Sequence, residues 1–156
     1  MYIKDGEASD YGQPSEHSYA WGWLGKKIES NAQGWESLAA KMHVVNKLKD
    51  VPQEFKCACT RGWHNCEICG DPMGNAEIKI SHDGKIFTCP SGVAHYIVAH
   101  DYRPPIEVIL AIRSGHMLKD KDLAPDWDLP EGQFEEAKSH KLRKALEAGM
   151  ETPRRF

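Results

Sequence analysis

No apolar run in this 156-residue chain approaches the ~20 residues needed to cross a bilayer, which excludes a membrane-spanning helix as an expectation. The first 18 residues, MYIKDGEASDYGQPSEHS, lack the apolar centre that a secretory signal requires. An excess of positive charge is missing too. Twenty Lys and Arg stand against 23 Asp and Glu, and the net charge of −3 gives no general pull toward nucleic acid. The five cysteines are an odd number, which argues against a closed disulfide framework. With no signal in view, this favours a reducing, cytoplasmic setting in which thiolates bind metal. Familiar catalytic motifs are absent as well. There is no Gly-rich phosphate loop, no G-x-S-x-G, no H-E-x-x-H and no H-x-E with P-C-x-x-C.

What is present fits one globular domain: hydrophobic residues make up 40% and charged residues 28%. Residues 1–18 are polar and have little to bury, so they read as a flexible leader. Tyr19, Trp21, Trp23 and Leu24 fall within a few residues of one another and are costly to leave in water. They read as an apolar anchor packed on the main domain, and otherwise as a surface for a partner. Helical spacing of Trp35, Leu38, Met42 and Val45 predicts a helix over 34–50, with Asn31 as its cap and Pro52 beyond its end.

The chemistry concentrates between Cys66 and His100. Cys66 and Cys69 form a C-x2-C pair followed by Gly70. A short alternating strand (76–80), an Asp83-Gly84 turn and a return strand (85–89) predict a β-hairpin. Ser91 then caps a helix over 92–101 that carries His95 and His100. Two thiolates on a turn and two imidazoles on a following helix are the donors of a tetrahedral zinc site. On a straight helix, residues five apart lie about 140° around the axis. The site therefore needs the helix to tighten or unwind near His100, just before Arg103-Pro104-Pro105. Four protein donors leave no open position, so the expected zinc is structural. The competing reading makes the two cysteines small core residues and the histidines ordinary helix positions. Other ligand sets also stay open: Cys57 and Cys59 joining Cys66 and Cys69, Cys89 replacing a histidine, or a second metal at Cys57, Cys59 and His64.

The run from Arg61 to Pro105 resembles a group of small, largely uncharacterised bacterial and phage zinc-binding proteins. Their shared pattern is C-x-x-C-G, a short hairpin containing Asp-Gly, and P-x-G-x-A-H-Y followed by a second histidine. Cys66, Cys69, Gly70, Asp83, Gly84, Pro90, Gly92, Ala94, His95, Tyr96 and His100 carry the likeness. Cys89 stands where that group more often has a large aromatic, and His64 where it often has Ser. The resemblance implies the same four ligands and no particular activity.

The expected fold is α+β: a zinc-stapled hairpin and helix, treble-clef-like or ββα-like, with further packed helices. The domain should span 19–118, with a charged linker at 119–131 pinned by Trp127 and Leu129, and a C-terminal helix and tail at 132–156. Expected core residues are Trp35, Leu38, Met42, Val45, Ile78, Ile80, Ile86, Phe87, Val93, Tyr96, Ile97, Ile106, Ile109 and Leu110. The functional expectation is a binding or adaptor module for a protein partner, reached through residues 19–24 or the C-terminal helix. Nucleic-acid binding through Lys56, Arg61, Trp63, His64, Lys79 and Lys85 is a second reading. A metal-dependent hydrolase using His82 and Asp83 is a third.

Overall fold

A computed structural model of the chain describes residues 18–22, 24, 34–58, 64–123 and 131–150. Residues 1–17 of the expected leader, Trp23, the Asn31 cap, Cys59, Trp63, the Trp127 and Leu129 pins and the tail after Met150 lie outside these residues, whereas Ser18, the last residue of that leader, is buried in a strand. The described part is a mixed α+β fold, as expected. A sheet is built around the antiparallel hairpin of β5 (Ala76–His82) and β6 (Lys85–Pro90). Asp83 and Gly84 both take positive φ, 51° and 77°, at its turn. On the β6 side, β1 (Ser18–Ala20) pairs in parallel. On the β5 side, β2 (Lys56–Ala58) takes one half of the edge and β7 (His116–Met117) the other. The expected isolated hairpin is therefore the centre of a larger sheet.

β1 shows what the aromatic segment does. Ala20 and Trp21 are fully buried and Leu24 is nearly so, while Tyr19 stacks against Phe87 with ring centroids 5.7 Å apart. Ala20, Trp21 and Leu24 are thus core residues, with Tyr19 packed against them.

Both faces of β5 are buried. Ile78, Ile80, Phe87 and Cys89 face the main core, which α1 (Leu38–Lys49), α2 (Ala94–His100) and α3 (Ile106–Ser114) complete. The expected solvent face of the strand is covered instead. The short α4 (Asp120–Leu123) and the long α5 (Glu131–Met150) follow β7. Ala145 of α5 packs with Ile86 and Leu118, and the Ser81 hydroxyl donates to the Ala145 carbonyl at 2.6 Å. Beneath lie Glu77 and Lys79, both buried and paired at 3.5 Å.

The helices are rotated from their expected settings. α1 starts at Leu38, and Ser37 caps it by accepting from the Ala40 N–H at 3.1 Å. It buries Val44, Val45 and Leu48, leaving Leu38 73% and Met42 39% exposed. α3 buries Val108, Ile109, Ala111 and Ile112 and exposes Ile106 and Leu110. These four expected core residues are thus surface. Apolar spacing marks one face of each helix, and tertiary packing buries a face turned partly away from it. α2 begins at Ala94 after Val93, with no side-chain cap from Ser91. Among the described residues, no helix is long and apolar enough to cross a membrane.

Candidate metal centre

The turn between β3 (His64–Asn65) and β4 (Pro72–Gly74) presents both cysteines. It is closed by short backbone bonds: the Gly70 N–H donates to the Cys66 carbonyl at 2.7 Å, and the Cys66 N–H to the Asp71 carbonyl at 2.8 Å. Gly70 turns the chain at φ 84°, a conformation that a Cβ would disfavour. The turn is brought against α2 by close backbone approach. A Cβ on Gly92 would sit 2.6 Å from the Met73 carbonyl oxygen, so only glycine lets α2 begin beside β4.

α2 solves the spacing problem at its C-terminus. Its last turn is wide: the N–H of Asp101 bonds five residues back to the Tyr96 carbonyl, and the Tyr102 N–H shares that acceptor at 3.1 Å. Asp101 leaves the helix in the left-handed region at φ 53°. A turn widened in this way brings residues five apart closer to one face than a regular α-turn does. His95 and His100 consequently meet edge to face, with ring centroids 5.1 Å apart.

The four donors converge. One ligand atom from each of Cys66, Cys69, His95 and His100 lies within 4.8 Å of all the others. The Cys66 Sγ is 3.4 Å from the His100 Nε2, and the Cys69 Sγ is 3.2 Å from the His95 Nε2. Donors at about 2.0–2.3 Å from a tetrahedral ion stand roughly 3.3–3.8 Å from one another. The arrangement fits such an ion with little adjustment. Cys66 is buried, the histidines are half-buried and Cys69 is exposed, so the group lies at the rim of the core.

Outer contacts orient it. With His95 Nε2 turned to the centre, its Nδ1 faces the Asp71 carboxylate at 3.9 Å. For Cys69, a bond from the Asp71 backbone N–H favours the thiolate, but desolvation and the neighbouring Cys66 outweigh it and its pKa is raised. A cation between the two sulfurs would remove that mutual repulsion. Tyr96 donates its hydroxyl to the Leu24 carbonyl at 3.3 Å, linking α2 to the segment after β1. Burial, and then the negative groups Cys66, Glu67 and Cys69, push the Tyr96 phenol well above its ordinary range, so it stays a donor.

Of the other expected candidates, Cys59 and the His64 side chain lie outside what the structure describes. Among the described residues, the Cys66, Cys69, His95 and His100 group is the only His/Cys/Asp/Glu cluster with converging donors. Cys89 is wholly buried on β6, and burial raises its thiol well above the ordinary value. Burial followed by the nearby Asp120 carboxylate pushes the Cys57 thiol up to about 12. Both are neutral, small core side chains. His82 has a buried Nδ1 with no hydrogen-bond partner, and Asp83 serves the hairpin turn. Of the suggested basic patch, Lys79 is buried against Glu77 and Lys85 pairs with Glu107 at 3.4 Å, while Arg61 and Trp63 lie outside the described residues.

A profile of the family described as Domain of unknown function (DUF7919) matches residues 1–113, and the chain belongs to that family. No curated protein and no solved structure gives a significant match. The matched stretch contains all four converging donors and ends within α3, so β7, α4 and α5 lie beyond it.

Proposed function

We propose that this member of a family whose description names no activity is a zinc-stapled binding module, its metal structural and its partner a protein. The observation that carries the metal assignment is the convergence of two sulfurs and two imidazole nitrogens within 4.8 Å, from the β3–β4 turn and from α2. Two thiolates with two imidazoles are borderline-soft donors that suit zinc over magnesium or calcium, which take oxygen ligands. Cys66, Cys69, His95 and His100 hold the ion, and the ion fixes the β3–β4 turn to α2. The order of turn, hairpin and helix resembles treble-clef domains, with the difference that the hairpin here is the centre of a larger sheet.

Four protein donors complete a tetrahedral shell, so no position remains for a reacting water. Function then falls to the surface that the staple stiffens, in a cytoplasmic setting where the thiolates stay reduced.

Cobalt substitution tests the closed site. Co2+ loaded in place of zinc should give the visible absorption of a tetrahedral ion with two thiolates, and added azide should leave the spectrum unchanged. A five- or six-coordinate spectrum, or one that shifts with azide, would reveal an open position and favour a hydrolase instead.

A further inference from the structure

The rotation of α1 and α3 leaves a groove between them. It has a volume of about 280 Å³, and its apolar wall is Trp35, Ala39, Ala40, Ile106, Ile109 and Leu110. Ile106 is 54% and Leu110 48% exposed. They sit one turn apart on α3 and form a continuous apolar row, which is where a soluble protein least benefits from bare Ile and Leu.

The charges around this floor are of one sign at one end. At the N-terminal ends of the two helices, Arg103 and Glu36 pair at 3.7 Å and cancel. At the other end the groove is lined by His43 and Arg113. Lys47 continues the row of Ala40 and His43 along α1. α1 contains no acidic residue between Leu38 and Lys49, and the one acidic residue of α3, Glu107, is engaged with Lys85. Lys47 and Arg113 also complement the helix dipoles in their last turns. What the dipoles do not explain is the apolar floor running up to them.

Resting on the binding-module reading, we propose that this groove docks an amphipathic helix of a partner protein, with its apolar row on Ile106 and Leu110 and acidic residues facing Lys47 and Arg113. Helix-in-groove recognition needs this combination of an apolar trough for an i, i+3/i+4, i+7 row and a charged lip that sets direction. A second copy of this chain fits less well, because the groove's own lining offers no acidic row to face Lys47 and Arg113: its one carboxylate, Glu36, is paired with Arg103.

The probe is a fluorescein-labelled helical peptide about four turns long, with leucine at i, i+3, i+4 and i+7 and glutamate on its flanks. Two controls carry lysine flanks or serine in place of leucine. Binding is read by fluorescence anisotropy against the full zinc-loaded chain. The glutamate peptide should bind at least ~10-fold tighter than either control. Leu110→Glu should weaken it by a similar factor, and Arg113→Glu should remove the preference for glutamate over lysine flanks. Leu38→Glu, at an exposed site on another flank of α1, should leave binding unchanged. All three positions are exposed, so zinc content and melting curves should match the wild type.

Equal binding of all peptides, or binding indifferent to Leu110→Glu, would overturn the groove proposal. So would sedimentation showing a dimer that Leu110→Glu dissolves, which would assign the groove to a second copy. These failures leave the metal reading standing. A wild-type chain that carries no zinc would instead defeat the metal reading, whatever the peptide does.

Discussion

The two faces of the β5–β6 hairpin are built on opposite principles. One carries Ile78, Ile80, Phe87 and Cys89 into a core that runs through α1, α2 and α3 to Cys66 at the metal centre. The other carries Glu77, Lys79, Ser81 and Thr88, all buried, beneath a helix that contributes only Ala145 to the fully buried set among its described side chains. The first face is stabilised by apolar area and, on our reading, by a zinc staple. The second combines a smaller apolar cluster of Ile86, Leu118 and Ala145, with Leu123, Leu142 and Leu146 against it, and specific polar contacts. Strength in one case comes from amount, in the other from correct pairing, because a buried polar group is costly only when its partner is missing. The Thr88 hydroxyl is a buried example without a partner.

The largest expected effect lies on the metal side. Cys66→Ser removes one of four donors, and structural zinc is coupled to folding, so circular dichroism should show loss of the cooperative melt. A folded Cys66→Ser chain with an unchanged melting curve would place the stability of this half in its apolar core alone.

On the polar face, Lys79→Met removes the cation paired with the Glu77 carboxylate, whose side chain is 2% exposed. The expected loss is about 3–5 kcal/mol in urea unfolding. Adding Glu77→Leu should recover most of it, since an apolar pair of similar volume avoids both desolvation costs. If the double variant is no better than the single, the pair is not what holds this face.

Cys57 belongs to the same face, opposite Glu77, with its thiol 3.7 Å from the Leu118 carbonyl. Its pKa is raised from 9.0 to about 12, first by burial. An unfolded thiol loses its proton at lower pH than the folded one. Its contribution is therefore complete below pH 9.0 and is lost as pH rises toward about 12. Urea midpoints should fall over this range, and Cys57→Ala should flatten the fall. An identical slope in the variant would assign the alkaline loss to other groups.

The smallest effect is expected at Ser81→Ala, which removes the hydroxyl bond to α5 and should cost about 1 kcal/mol. Hydrogen exchange should then speed up in 131–150 and not in α2. Uniform acceleration would mean that the two faces do not open separately.

The candidate metal centre was the most legible part of the chain because it depends on residue identity and short spacing. Cys66, Cys69, His95 and His100 could be picked out without knowing any long-range contact, and the need for an altered helix end at His100 followed from helical geometry alone. The hairpin was legible for the same local reason, through its Asp-Gly turn. Strands β1, β2 and β7 were not, since each is two or three residues long and exists only by pairing with β5 or β6. The burial of Glu77 and Lys79 was hidden too, because alternation shows which residues share a face and not what covers it. Leu38, Met42, Ile106 and Leu110 were placed inside for a related reason: apolar character marks a surface for docking as readily as one for the core. The groove between α1 and α3 came into view only once packing had left Ile106 and Leu110 outside.

The most direct test is native mass spectrometry of the wild type beside Cys66→Ser and Cys89→Ser. The account predicts one zinc per wild-type chain, retained by Cys89→Ser and lost by Cys66→Ser. Zinc that persists without Cys66, or that disappears with Cys89, would contradict the four-donor site and the staple built on it.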